Sequence, residues 1–116
     1  MSKTEINLNP DLSYDPLKQT VTIKGEIKTL TTKESELFHV LASHLNDLTE
    51  RKVALDQVWA EDSYFAARSM DVYITKLRKI LKPLSGVEII NIHGKGYKLL
   101  VDNAYNQETI LSGCDS

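Results

Sequence analysis

The apolar residues of this 116-residue chain change their spacing twice, and that change limits the folds open to it. In residues 1–30 they alternate: Ile6 and Leu8, Leu12 and Tyr14, Val21 and Ile23, then Ile27. Turn formers fall between them, at Asn9-Pro10-Asp11, Asp15-Pro16 and Lys24-Gly25. A period of two with this punctuation predicts a small antiparallel meander, read as four strands. From 31 to 84 the period becomes helical. Over 87–101 two apolar stretches flank His93-Gly94-Lys95-Gly96, the pattern of a β-hairpin. A sheet cannot bury its apolar face alone, so the helices must pack on it.

Three helices are expected in the middle block. Thr31-x-x-Glu34 is a capping-box pattern, and Leu37, Phe38, Leu41 and Leu45 follow it as one apolar stripe. Asp47-Leu48-Thr49 breaks that helix. A short second helix is predicted over about Glu50–Ala60, with Thr49 as its N-cap and Leu55, Val58 and Trp59 on one side. Glu61–Ala67 reads as a loop. The third helix is predicted over Arg68–Lys82, ending before Pro83, with Met70, Ile74, Leu77 and Leu81 as its buried stripe. The expected architecture is α+β: a winged helix-turn-helix with an N-terminal four-stranded antiparallel sheet, three helices and a C-terminal β-hairpin wing. It would occupy residues 4–101, leaving 102–116 as a polar tail that frays after the last strand.

A formal net charge of −2 and a pI near 5.9 argue against a general nucleic-acid coat. The distribution argues differently. Residues 1–62 hold seven basic and eleven acidic groups, and residues 102–116 hold three acidic ones. Residues 63–101 hold seven basic groups (Arg68, Lys76, Arg78, Lys79, Lys82, Lys95, Lys98) against Asp71 and Glu88, a net of +5. The positive charge therefore lies on the third helix and the hairpin. At 100° per residue, Ser69, Val72, Tyr73, Lys76 and Lys79 fall mainly opposite the apolar stripe, with Arg78 on the flank. In a winged helix these two elements face DNA, one in the major groove and one beside the minor groove.

Four motifs in series carry a family resemblance covering about residues 4–101. Leu30-Thr31-Thr32-Lys33-Glu34-Ser35-Glu36-Leu37-Phe38 resembles the start of the first helix in OmpR/PhoB-type response-regulator effector domains. Val58-Trp59 resembles the end of their second helix. Arg68-Ser69-Met70-Asp71-Val72-Tyr73-Ile74-Thr75-Lys76-Leu77-Arg78-Lys79 is similar to their recognition helix, and His93-Gly94-Lys95-Gly96-Tyr97-Lys98-Leu99 to their wing. The resemblance implies sequence-specific binding of double-stranded DNA as the output domain of a two-component transcriptional regulator. Asp71 and Lys76, with Ser69 nearby, match base-edge positions, and His93 stands where the family carries a minor-groove arginine. Trp59, Arg68, Tyr73, Thr75, Arg78, Lys79, Asn91, Lys95 and Tyr97 are expected on the phosphate backbone, setting register rather than sequence. His93 weakens affinity for a narrow A/T minor groove, and Thr75 removes a basic phosphate contact held by many members.

Further expectations rest on that resemblance. Glu61, Asp62, Ser63 and Tyr64 match a loop that contacts RNA polymerase. An upstream receiver domain and a sensor histidine kinase belong to the intact regulator, and 116 residues have no room for the receiver; either the chain is an excised C-terminal domain, the favoured expectation, or the protein acts alone. The fragment is expected to be monomeric alone and dimeric on promoter direct repeats, in the bacterial cytoplasm. The competing reading is a winged-helix protein-interaction module that does not bind DNA. Protein interfaces favour apolar anchors with few lysines, whereas Val72 and Tyr73 are outnumbered by Lys76, Arg78, Lys79 and Lys82.

Other chemistries find little support. His39 and His44 lie about 140° apart around one helix, so they do not share a face for a metal. The one cysteine, Cys114, allows no internal disulfide and has no basic neighbour. Gly94-Lys95-Gly96 lacks the P-loop pattern, and no nucleophile elbow or dyad is present, so neither cofactor nor catalysis is expected. Met1–Pro16 has no apolar core of a signal peptide, and no apolar run reaches the ~18 residues of a membrane span.

Overall fold

The computed structural model describes residues 5–59, 63–102 and 104, with the backbone alone at 63–67. The N-terminal meander is a four-stranded antiparallel sheet in the order β1(Ile6–Asn9), β2(Leu12–Asp15), β3(Thr20–Ile23), β4(Glu26–Thr29). Its turns follow from residue chemistry. Asn9 Oδ1 accepts from the Asp11 amide, and Asp15 Oδ1 accepts from the amides of Leu17 and Lys18. Lys24 and Gly25 both take positive φ, the backbone of a two-residue hairpin turn. Register pairs Leu12 with Ile23 and Tyr14 with Val21, so these four share the buried face. Ile27 pairs with Thr22 on the opposite face and is 69% exposed, so it adds nothing to the core.

Helix α1 spans Thr32–Ser43 and starts as expected: the Thr31 side chain accepts from the Glu34 amide while the Thr31 amide donates to Glu34 Oε1. Leu37, Phe38 and Leu41 are fully buried, and Phe38 meets the Tyr14 ring edge-on at 5.0 Å, which fixes the helix to the sheet. Beyond the helix, Asn46 takes a positive φ and docks on the last strand. Its amide donates to Leu99 O, and its side-chain Oδ1 accepts from the Val101 amide.

Two boundaries differ from expectation here. Leu48–Glu50 form a strand, β5, and Thr49 is not a cap: it is fully buried in that strand, paired with Tyr97. Backbone pairing to an open strand edge satisfies more polar groups than one capping hydroxyl. Helix α2 is then Arg51–Val58, shorter than predicted, with Glu50 at its N-cap making no side-chain cap bond. Instead the Arg51 amide, one of the donors a helix start leaves over, bonds Lys95 O.

Helix α3 spans Ser63–Leu81 and so begins within the predicted loop. Residues 63–67 contain no Gly or Pro, and Ala66-Ala67 favour helix, so nothing stops the helix short of Arg68. Ser63 and Tyr64, expected in a polymerase-contact loop, therefore belong to the first turn of α3, while Glu61 and Asp62 lie outside the described residues. The stripe Met70, Ile74, Leu77 and Leu81 is buried as predicted. Each such side chain contributes about 1.5–3 kcal/mol by leaving water.

The second sheet has the order β5-β7-β6, with β6(Val87–Ile92) and β7(Gly96–Val101) forming the hairpin. Gly96 sits where a Cβ would meet Thr49 O at 2.1 Å and Arg51 N at 2.8 Å, so only glycine lets β7 approach the β5–α2 junction. The expected fraying does not begin at Asp102. Its amide donates to Gly86 O, its carbonyl accepts from Asn9 Nδ2, and Ala104 packs half-buried on the core. Those contacts tie the chain after β7 to both sheets.

Candidate nucleic-acid interface

Burying one stripe of α3 leaves its other residues outward. Arg68, Asp71, Val72, Thr75, Lys76, Arg78 and Lys79 are exposed, and Ser69 and Tyr73 are half-buried. On the hairpin, Asn91, His93 and Lys95 are exposed and Lys98 is half-buried. The basic side chains counted in the sequence are therefore mostly at the surface.

Some of the candidate residues fall into three contacting groups. In the first, Trp59, the C-cap of α2, is buried and packs its ring 5.7 Å from that of Tyr73, and Lys76 Nζ lies 5.2 Å over the Tyr73 ring. Lys33 of α1 donates to Val58 O and lies 5.9 Å from the Trp59 ring. Trp59 thus supports α3 from behind rather than presenting a free surface.

In the second group, Arg78 Nε donates to Ile89 O, joining the helix to β6. In the third, Tyr97, buried on β7, donates its hydroxyl to Asp71 Oδ1 at 2.6 Å and accepts from Arg51 Nη1 at 3.1 Å. Arg51 Nη1 also stands 3.6 Å from Asp71 Oδ1. Burial pushes the Tyr97 hydroxyl above its ordinary pKa, and its hydrogen bond to the Asp71 carboxylate adds to that, against the opposing pull of Arg51. The hydroxyl is thus held protonated, as a donor. Thr75 Oγ1 bonds back to Asp71 O within the helix, so its hydroxyl is already used locally.

The sequence reading missed Arg51 and Lys33. Arg51 carried one signal: a cation in the first turn of a helix is opposed by the macrodipole and calls for a nearby anion. Lys33 carried none, because its partners lie on another helix. The histidines set aside as metal ligands have ordinary partners. His39 Nδ1 lies 2.7 Å from the Tyr14 hydroxyl, and His44 Nδ1 3.0 Å from Val40 O. Cys114 lies outside the described residues.

A three-helix core, a third helix with an exposed basic face and a hairpin beside it define a winged helix-turn-helix. Residues 25–99 match the family described as "Transcriptional regulatory protein, C terminal", and the chain belongs to that family, the OmpR/PhoB-type effector domains. It is 56% identical over 88 residues to the transcriptional regulatory protein RprY of Bacteroides fragilis, covering 76% of this chain and 37% of that protein. The chain thus spans little more than a third of that relative's length. Among solved structures, the Klebsiella pneumoniae RstA DNA-binding domain in complex with the RstA box superposes with a TM-score of 0.68 at 28% identity. That match covers 84% of this chain and 97% of the other. The DNA-binding domain of E. coli CadC gives a TM-score of 0.74 at 24% identity over 87% of this chain and 95% of that one, a likeness of fold.

Proposed function

We propose that this chain binds duplex DNA sequence-specifically as the output domain of a two-component transcriptional regulator, with α3 in the major groove and the wing, residues 93–98, near the minor groove. The observation that carries the reading is the segregation of charge: a segment of net +5 within a chain of net −2, on the two elements a winged helix offers to DNA. Membership of the regulator family and the likeness to a DNA-bound domain support it. The role is binding, not catalysis.

Lys76 reads bases, with Ser69 and Asp71 beside it, and His93 lies at the minor groove. Arg68, Arg78, Lys79, Asn91 and Lys95 hold the backbone, whereas Thr75, expected there too, spends its hydroxyl proton on Asp71 O. Trp59, Tyr73 and Tyr97 were expected on phosphates. Their packing suits them better to holding this surface in shape. The acidic remainder of the chain repels DNA elsewhere, so non-specific affinity is modest.

In the intact regulator a receiver domain, phosphorylated by a sensor kinase in the cytoplasm, drives dimerisation on direct repeats. The surface before α3 meets RNA polymerase. These roles rest on family membership and on the chain's share of its relatives' length.

Among the described residues, no helix is long and apolar enough to cross a membrane. A protein-docking role for α3 would call for apolar anchors. Among the described side chains of α3, Val72 is the large hydrophobic one that stands exposed.

Selection from random duplexes identifies the preferred site, and anisotropy titrations on it test the reading. With roughly five phosphate contacts, log K should fall against log salt with a slope near −4.5. A slope near zero rejects DNA binding.

A further inference from the structure

We infer that Arg51, Tyr97 and Asp71 form a bridge that locks the wing to the recognition helix, so that both grooves are met by one rigid unit. Tyr97 and Arg51 are its positioning residues. The inference rests on the DNA-binding reading above and deepens it.

The bridge joins three elements at one point: Arg51 opens α2, Asp71 lies on α3 and Tyr97 on β7. The Tyr97 hydroxyl is the hinge pin, donating to Asp71 and accepting from Arg51. Both partners carry charge, which makes these bonds stronger than neutral ones. The same junction grips the wing again through its backbone. The Arg51 amide bonds Lys95 O, Glu50 pairs with Gly96, and Gly96 lies against Thr49 and Arg51 with no room for a side chain. Lys95 and His93 therefore cannot move far relative to Asp71 unless this bridge opens.

The arrangement gives Tyr97 a role other than a phosphate contact. Its ring is buried, and its hydroxyl is already engaged on both sides. It also gives Asp71 a task besides base reading, carried by Oδ1.

Tyr97→Phe keeps the buried ring and removes only the bridging oxygen. Two measurements on the whole chain test the bridge. Without DNA, amide hydrogen exchange at residues 93–96 should quicken roughly tenfold, about what one hydrogen bond to a charged group is worth, while α1 amides stay unchanged. With DNA, Tyr97→Phe and Lys95→Ala should each weaken binding to a selected duplex. Together they should cost less than the product of the two, because a loosened wing has already forfeited part of the Lys95 contact. A phosphate contact by Tyr97 instead predicts losses that multiply. Either unchanged wing exchange or multiplying losses overturns the bridge. If the unaltered chain fails to bind any duplex, the DNA-binding reading falls while the exchange result still reports on the lock.

Discussion

Arg78 Nε donates to the carbonyl of Ile89 at 2.9 Å, so a residue expected on the DNA backbone also fastens α3 to the outer strand of the hairpin sheet. One side chain thus carries a structural bond and a surface charge. Arg78→Ala should lower stability by ~1 kcal/mol, the net worth of such a bond. It should also weaken selected and scrambled duplexes alike, reducing the salt slope by about 1. Arg78→Lys keeps the charge but not the bond, so it should restore more of the salt slope than of the stability. Urea denaturation and anisotropy titrations on the three proteins separate the two effects.

Lys76 is held over the Tyr73 ring, which rests on buried Trp59. The proposed role of this cation is to read one base step, so Lys76→Ala should cost about 1–3 kcal/mol on the selected site and relax preference at one position. Scrambled DNA should lose less. Equal losses of Lys76→Ala and Arg78→Ala on both duplexes would contradict the division of roles.

Gly96 leaves no space for a Cβ against the backbone of Thr49 and Arg51. Backbone cannot swing aside as a side chain does, so Gly96→Ala should destabilise by at least ~2 kcal/mol and open the β5–β7 pairing. Gly94 has positive φ but open space around its Cβ position, so Gly94→Ala should cost less, from backbone strain alone. Thermal denaturation of both variants gives the order. A Gly94 variant less stable than the Gly96 variant would refute the packing explanation.

Tyr14 is buried against Phe38, and burial pushes its hydroxyl up to about 12 from an ordinary 10.0. The folded chain keeps that proton where the unfolded chain loses it. The resulting stability is full below pH 10 and is lost as pH rises from there through about 12. Tyr97, raised in the same direction, adds to the loss. Urea midpoints measured from pH 8 to 12 should fall across this window, and less steeply in Tyr14→Phe. Parallel profiles would show that Tyr14 does not contribute.

What could be read from the chain is what acts over a few residues. The Thr31–Glu34 box sets the start of α1, Lys24-Gly25 bends β3 into β4, and the spacing of Met70, Ile74, Leu77 and Leu81 assigns α3 its buried face and hence its basic one. Segment charge pointed to the same two elements that the fold exposes. What could not be read depends on partners distant in sequence. Thr49 looks like a cap until Tyr97 offers it a strand edge, and Arg51 looks like an unremarkable helix start until Tyr97 and Asp71 surround its guanidinium. Ser63 looked like loop because its surroundings lack a periodic stripe, although nothing there breaks a helix.

The sequence alone determined the elements other than β5, their order and the sign of the surface, because helix caps, turns and apolar periods are short-range effects of covalent neighbours. Only the tertiary structure decided how the wing is held to the helix. That arrangement arises when three side chains from α2, α3 and β7 meet around one hydroxyl, and no local pattern encodes their meeting.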